Sequence, residues 1–174
     1  MSGSLTATDH EQLANRLYQA ASRGEALTPL SNDYPQMESA DSYAIQARLV
    51  AKQGSSSVGY KLGFTSAAMR EQMGVDEPNY GVLLAATRAA TEVSFSRFIH
   101  PLIEPEIAIV TGRELAGDNV SLEAIGAGVA RYHPALEIVD SRFQNYQFQA
   151  VDNIADNSSA AGYCLGDGVR RSCL

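Results

Sequence analysis

The chain has 174 residues, 45% of them hydrophobic and 19% charged, and thirteen Lys+Arg against twenty Asp+Glu leave a formal charge of −7. A chain of this length can bury a substantial core without disulfide staples, and its acidic balance offers no basic surface to neutralise phosphates, so neither DNA nor RNA is an expected partner. No apolar run approaches the roughly 18 residues needed to cross a bilayer, and the opening MSGSLTATDH lacks the basic and apolar regions of a signal peptide, so a cytoplasmic protein without membrane association is expected.

The first helix is predicted over 9–23, with a capping box at Thr8-Asp9-His10-Glu11, Leu13, Leu17 and Ala20 at helical spacing, and Gly24 as its C-terminal cap. A polar stretch with two prolines, 28–35, separates it from a second helix over 40–52, whose expected apolar stripe is Tyr43, Ala47 and Val50. From Val58 the period becomes alternating. It predicts a strand with Val58, Tyr60, Leu62 and Phe64 on one face and Gly59, Lys61, Gly63 and Thr65 on the other. A short helix should follow, capped by Thr65 or Ser66, with Met69 and Met73 filling the core and Gly74 closing it. Further strands are predicted over 80–85, 102–110 and 135–140, with a helix over 121–132 before the last. Helices interspersed with strands bearing polar inner faces predict an α+β fold: a helical region, 1–57, leads into a mixed, barrel-like sheet over 58–174, and the two form one continuous domain. Cys164 and Cys173 are expected as reduced thiols, since a bridge would close only a small loop.

The chemistry is concentrated in Leu102-Ile103-Glu104-Pro105-Glu106-Ile107-Ala108. A strand period of two projects Glu104 and Glu106 from one face of an otherwise apolar segment. Neighbouring carboxylates in such a setting repel each other and need a cation or a shared proton. Glu137 stands in a similar apolar strand. Three carboxylates without adjacent His or Cys ligands would form a hard oxygen site for Mg²⁺ or Mn²⁺ rather than zinc; the alternative from periodicity alone is that all three face solvent. Lys61, one of two lysines, is flanked by glycines that leave room beside it, as an anionic substrate would require. Other motifs are missing. His10 has Ala14 where a helical zinc motif needs its second histidine, His100 and His133 precede prolines at strand entrances, and no dinucleotide fingerprint, phosphate loop or serine nucleophile elbow is present.

These segments, together with Val58-Gly59-Tyr60-Lys61-Leu62-Gly63-Phe64-Thr65-Ser66, Tyr80-Gly81-Val82-Leu83, Leu136-Glu137-Ile138-Val139-Asp140-Ser141-Arg142 and Ala155-Asp156-Asn157-Ser158-Ser159, occur in the order that resembles the 2-keto-4-pentenoate hydratase and 4-oxalocrotonate decarboxylase family. That family lies within the fumarylacetoacetate hydrolase superfamily. The resemblance runs over about 8–168. It implies a Mg²⁺- or Mn²⁺-dependent lyase of aromatic meta-cleavage catabolism, with Glu104, Glu106 and Glu137 as metal ligands. It further implies Lys61 and Asp156 as catalytic residues, and Lys61, Tyr80, Gly81, Val82, Leu83, Asn157 and Ser158 at a small 2-oxo acid substrate.

The segments Asn32-Asp33-Tyr34-Pro35-Gln36-Met37, Ile99-His100-Pro101 and Asp140 to Tyr146 are more similar to the decarboxylase branch, and the hydratase branch often has an acid where this chain has Asn79. The expected reaction is therefore conversion of 4-oxalocrotonate (2-oxo-3-hexenedioate) to 2-hydroxypenta-2,4-dienoate. The alternative is hydration of that dienoate to 4-hydroxy-2-oxopentanoate. A carbon–carbon hydrolase is disfavoured, since no His-Glu water-activating dyad is evident. Family members are generally longer, so the chain is expected to be shortened at its C-terminus, with open sheet edges that invite pairing. The resemblance also implies a homo-oligomer or a complex of decarboxylase with hydratase, and a non-catalytic, partner-binding role is a third expectation.

Overall fold

Thr6 opens the first helix, α1 (Ala7–Arg23), in a computed structural model that describes residues 5–73, 75–89 and 92–170. Its hydroxyl accepts the Asp9 amide at 3.2 Å while the Asp9 carboxylate takes the Thr6 amide at 2.8 Å, so the capping box forms earlier than the expected Thr8. Gly24 closes the helix in the left-handed conformation, φ 68°. A single turn, α2 (Leu30–Asp33), occupies the proline-bearing stretch and buries Leu30 completely. The next helix, α3 (Ser39–Lys52), buries Ile45 and Leu49 with Ser42 and Gln46, whereas Ala47 of the expected stripe is exposed. The cause is a second packing partner: besides α1, α3 meets the backbone of later elements, and Gln46 Nε2 donates to the carbonyls of Tyr80 (2.9 Å) and Ile154 (3.1 Å).

Strand β1 (Ser57–Gly63) pairs antiparallel with β2 (Asn79–Leu84), placing Lys61 opposite Gly81, and the short helix α4 (Ala67–Met73) connects them. The apolar face of β1 is the one turned outward. Val58, Tyr60 and Leu62 are 55%, 65% and 67% exposed, while Gly59, Lys61 and Gly63 form the face toward the molecule. Alternation distinguishes the two faces of a strand without deciding which is covered. Here the glycine face is selected by close approach: a Cβ at Gly81 would strike the Asn157 carbonyl, and one at Gly63 would strike the Asn79 side chain. Met69 is likewise exposed rather than core; Gly74 and the Met73 side chain lie outside the described residues.

The second sheet contains β3 (Leu102–Thr111), β4 (Val129–Val139), β5 (Ala160–Leu165) and β6 (Val169–Arg170), with helix α5 (Leu122–Gly128) before β4 and α6 (Ala150–Ala155) before β5. The helix expected over 121–132 ends early because its last residues join a longer β4. Strands β5 and β6 both pair with β4 on one side, and β3 pairs with it on the other, all antiparallel. Strand β3 is therefore an edge, which accommodates Pro105. Among the described residues the sheets are an open pair of two and four strands, not the expected barrel-like sheet. Of the two cysteines, Cys164 is a free thiol and Cys173 lies outside the described residues.

The main core joins the helices to the far end of the chain: Leu13, Leu17, Leu30, Ile45 and Leu49 pack with Phe143 and Ala155. A polar tie reinforces it. The fully buried Asp152 accepts the Ser31 amide (2.8 Å), the Ser31 hydroxyl (2.6 Å) and the Gln149 amide (3.0 Å). Asp152→Ala should lower the free energy of urea unfolding by at least about 2 kcal/mol, because buried donors lose a charged acceptor.

Candidate metal centre

Glu104 and Glu106 share a face of β3, and the register with β4 sets Glu137 directly across from Glu104 and diagonal to Glu106. Each of the three offers a carboxylate oxygen, and these oxygens lie within 4.8 Å of one another. Ala135, opposite Glu106, leaves space beside the cluster. Glu104 and Glu106 are exposed, whereas Glu137 is 5% exposed. No histidine or cysteine joins the group among the described residues.

The cation nearest this cluster comes from the other sheet. Lys61 of β1 places Nζ 3.3 Å from Glu137 Oε1 and donates to the Ser158 carbonyl at 3.1 Å. Its approach to Oε1 is an ion-pair contact without hydrogen-bond geometry, so that oxygen is buried with no donor of its own. Burial pushes the Glu137 carboxyl up to about 7; Lys61 opposes this, and Glu104 and Glu106 add to it. A buried oxygen without a donor, beside two more carboxylates, is a donor set that a hard divalent cation fits.

A cavity of about 280 Å³ opens over the cluster. Lys61, Glu104, Glu106 and Ser158 of the expected site residues line it, and Glu137 lies buried beneath. The other expected substrate residues do not line it. Tyr80 stacks on Tyr43 with ring centroids 4.7 Å apart, Gly81 packs against the Asn157 backbone, and Leu83 pairs with Gly59. Asn157 is a clamp on Val82: its Oδ1 accepts the Val82 amide at 2.7 Å and its Nδ2 donates to the Val82 carbonyl at 3.0 Å.

Asp156 is also displaced from the expected role. It is fully buried, with its carboxylate on the Arg142 guanidinium Nε and, at 3.0 Å, on the Arg142 amide. Arg142 further donates to the carbonyls of Asp156 and, at 2.8 Å, Asp140. Burial pushes the Asp156 carboxyl up to about 6, against the charge and hydrogen bonds of Arg142. The pair anchors the chain where it enters the turn 157–159.

That turn explains what sequence reasoning missed. Asn157, Ser158 and Ser159 all have positive φ (53°, 52° and 57°), as do Phe64 (55°) and Tyr146 (55°), and four of these five residues line the cavity. Left-handed non-glycine residues cost about 1 kcal/mol or more each and gather at functional sites, yet no local pattern announces them. Tyr146, Phe148, Asn153 and Ser159 are lining residues found only in three dimensions. Burial pushes the Tyr146 phenol up to about 12, and its hydroxyl faces the carbonyls of Val139 (3.0 Å) and His100 (3.2 Å).

No family model matches the chain. Its relatives do. It is 36% identical over 167 residues to 2-keto-4-pentenoate hydratase of Paraburkholderia xenovorans, covering 93% of this chain and 62% of the relative. It is 37% identical over 159 residues to 4-oxalocrotonate decarboxylase of Pseudomonas putida, covering 88% and 60%. The solved structure of 4-oxalocrotonate decarboxylase from Pseudomonas putida G7, complexed with magnesium and adipate, superposes with a TM-score of 0.93 at 32% identity, covering 98% of this chain and 67% of that one.

This chain belongs to the 2-keto-4-pentenoate hydratase and 4-oxalocrotonate decarboxylase family. It spans about three-fifths of the length of the curated relatives it matches. The mixed α+β fold is that of the family's solved decarboxylase.

Two outcomes follow from the site's electrostatics. A divalent cation needs Glu137 ionised, so affinity for Mn²⁺ in calorimetry should weaken, with release of a proton on binding, as pH is lowered from about 8 to about 6. Asp156→Asn or Arg142→Ala should cost roughly 3–5 kcal/mol in urea unfolding, since either leaves a buried partner uncompensated.

Proposed function

We propose that the protein is a divalent-metal-dependent lyase of aromatic meta-cleavage catabolism that decarboxylates 4-oxalocrotonate (2-oxo-3-hexenedioate) to 2-hydroxypenta-2,4-dienoate. The observation that carries this reading is the convergence of Glu104, Glu106 and Glu137 with Lys61 at the cavity. Mg²⁺ or Mn²⁺ on the three glutamates would supply a Lewis acid for the 2-oxo and adjacent carboxylate oxygens of the substrate. Magnesium in the solved relative supports that assignment.

The chain's own residues account for the rest. The Ser158 carbonyl takes one of the three N–H directions of Lys61 and Glu137 balances its charge at 3.3 Å, so the ammonium keeps N–H donors for the substrate. As the bond to the remote carboxylate breaks, its electron pair moves through the conjugated carbons to the 2-oxo oxygen, and CO₂ leaves. Lys61 stabilises the negative charge developing on that oxygen, and the oxygen takes up a proton to give the dienol.

The cavity wall favours decarboxylation over hydration. Asn153, Ser158 and Ser159 are neutral, and Phe64, Met69 and Phe148 are apolar. A carboxylate loses its charge on becoming CO₂, so surroundings with no second cation among the described lining residues assist its departure. Addition of water at a remote carbon needs an acid–base group there, and the Tyr146 phenol apart, the described residues of this wall supply none.

The same reading treats 1–57 and 58–174 as one continuous domain of a cytoplasmic protein. The exposed apolar residues Val58, Tyr60 and Leu62 on β1 and Ile103, Ile107 and Ile109 on β3 support self-association or docking with a sister hydratase.

The deciding measurement is CO₂ release from 4-oxalocrotonate with Mg²⁺ or Mn²⁺. The wild type should release CO₂, and Glu106→Gln should lose at least about a hundredfold in rate along with cation-dependent thermal stabilisation. Equal signals from both proteins would sink the reading in favour of a non-catalytic binding role. Consumption of 2-hydroxypenta-2,4-dienoate without CO₂ would make the protein the hydratase.

A further inference from the structure

The cavity wall carries a row of four side chains, each at most 5% exposed: Ser158, Asn79, Asn153 and Ser159, of which all but Asn79 line the cavity. The Ser158 hydroxyl donates to Asn79 Oδ1 at 3.0 Å, Asn79 Nδ2 donates to Asn153 Oδ1 at 2.8 Å, and Asn153 Nδ2 donates to Ser159 Oγ at 3.2 Å. Every bond runs in the same sense. Two amides between two hydroxyls have only two self-consistent directions, because each amide presents its oxygen to one neighbour and its nitrogen to the other. The directions differ in which serine keeps a proton to give away.

In the direction found here the unspent proton is on Ser159. Its oxygen already accepts from Asn153, and among the described residues no protein group accepts from it. Ser159 lines the cavity, and its left-handed backbone is fixed by its amide on the Asp156 carbonyl (3.0 Å) and its carbonyl on the Asp140 amide (2.8 Å). The neighbouring Ser158 carbonyl holds Lys61. A buried hydroxyl proton with no protein acceptor, beside an ammonium, is a site for an anionic oxygen.

We propose that the one-way chain Ser158–Asn79–Asn153–Ser159 aims the Ser159 hydroxyl at a carboxylate oxygen of the bound 2-oxo acid, with Asn79 and Asn153 as positioning residues. The inference rests on the function proposed above and names a further binding group for it. The chain contains no titratable member, so its donor does not change between acid and neutral pH.

The half of the chain that ends on Ser159 can be reversed by one isosteric change. In Asn79→Asp the carboxylate only accepts, so Asn153 must turn its amide nitrogen toward position 79 and its oxygen toward Ser159. Ser159 then donates to Asn153 and no longer to the cavity. Its effect should therefore coincide with that of removing the hydroxyl.

The test is calorimetric binding of 2-oxoadipate and of 2-oxopentanoate in the presence of Mg²⁺, with Mn²⁺ affinity and thermal midpoint measured on every variant. Ser159→Ala should bind one or both acids about tenfold or more weakly while Mn²⁺ affinity holds. Loss for 2-oxoadipate alone assigns Ser159 to the remote carboxylate, and loss for both assigns it to the carboxylate beside the oxo group. Ser159→Gly, which removes the hydroxyl and relaxes the left-handed backbone, should reproduce the loss without a fold defect. Asn79→Asp should weaken binding by a similar factor, and the double variant Asn79→Asp/Ser159→Ala should be no weaker than the weaker single within about twofold. Additive losses would mean that the new charge acts by simple repulsion, and would overturn the positioning role. Undiminished binding in Ser159→Ala, or loss only in Ser158→Ala, would overturn the proposal while the wild type still binds. Failure of the wild type to bind either acid would overturn the proposed function as well.

Discussion

Mutual repulsion among Glu104, Glu106 and Glu137 is the constraint around which the site is arranged. Three carboxylates within 4.8 Å of one another are unfavourable without positive charge, and one of them is almost wholly removed from water. Lys61 alone offsets part of this: burial still leaves the Glu137 carboxyl at about 7. The cluster is therefore poised for a cation. The two antiparallel strands that carry it fix the three backbone positions through their hydrogen-bonded register, so the glutamates remain neighbours across the ladder.

Lys61 belongs to a different sheet, and the turn 157–159 brings the two sheets into register. Its three left-handed residues give the Ser158 carbonyl to Lys61, the Asn157 amide to β2 and the Ser159 carbonyl to the end of β4. Such a backbone persists only where its surroundings over-determine it. The Arg142–Asp156 pair supplies that determination from behind, which is why a carboxylate in the middle of a site-forming segment is structural. The glycines at 63 and 81 complete the arrangement by letting side chain and backbone come close enough to pack against β1 and β2.

The family houses decarboxylation and hydration, and the two share the need for a stabilised negative charge on a 2-oxo oxygen. In the proposed function the glutamates and Lys61 serve that common requirement. In the proposed reading, what separates the reactions is the far wall of the cavity, where one needs a carboxylate to lose its charge and the other needs a base to take a proton from the incoming water. Among the described residues, that wall in this protein is amide, hydroxyl and aromatic.

Much of the site was legible in the sequence because it is local. A period of two fixes Glu104 and Glu106 on one face, the apolar flanks of Glu137 mark an unusual carboxylate, and two glycines mark Lys61 as a residue with space beside it. The glycine cap of the first helix is equally local. Three matters were decided only by tertiary structure. The pairing of β3 with β4 brought Glu137 opposite Glu104; packing against the turn 157–159 turned the lysine face of β1 inward and left Val58, Tyr60 and Leu62 outside; and Arg142 claimed Asp156. Alternation, spacing and residue type describe a segment relative to itself. Which face is covered, and which charge meets which, depends on segments distant in the chain, and their positions are set by the summed packing of the whole fold.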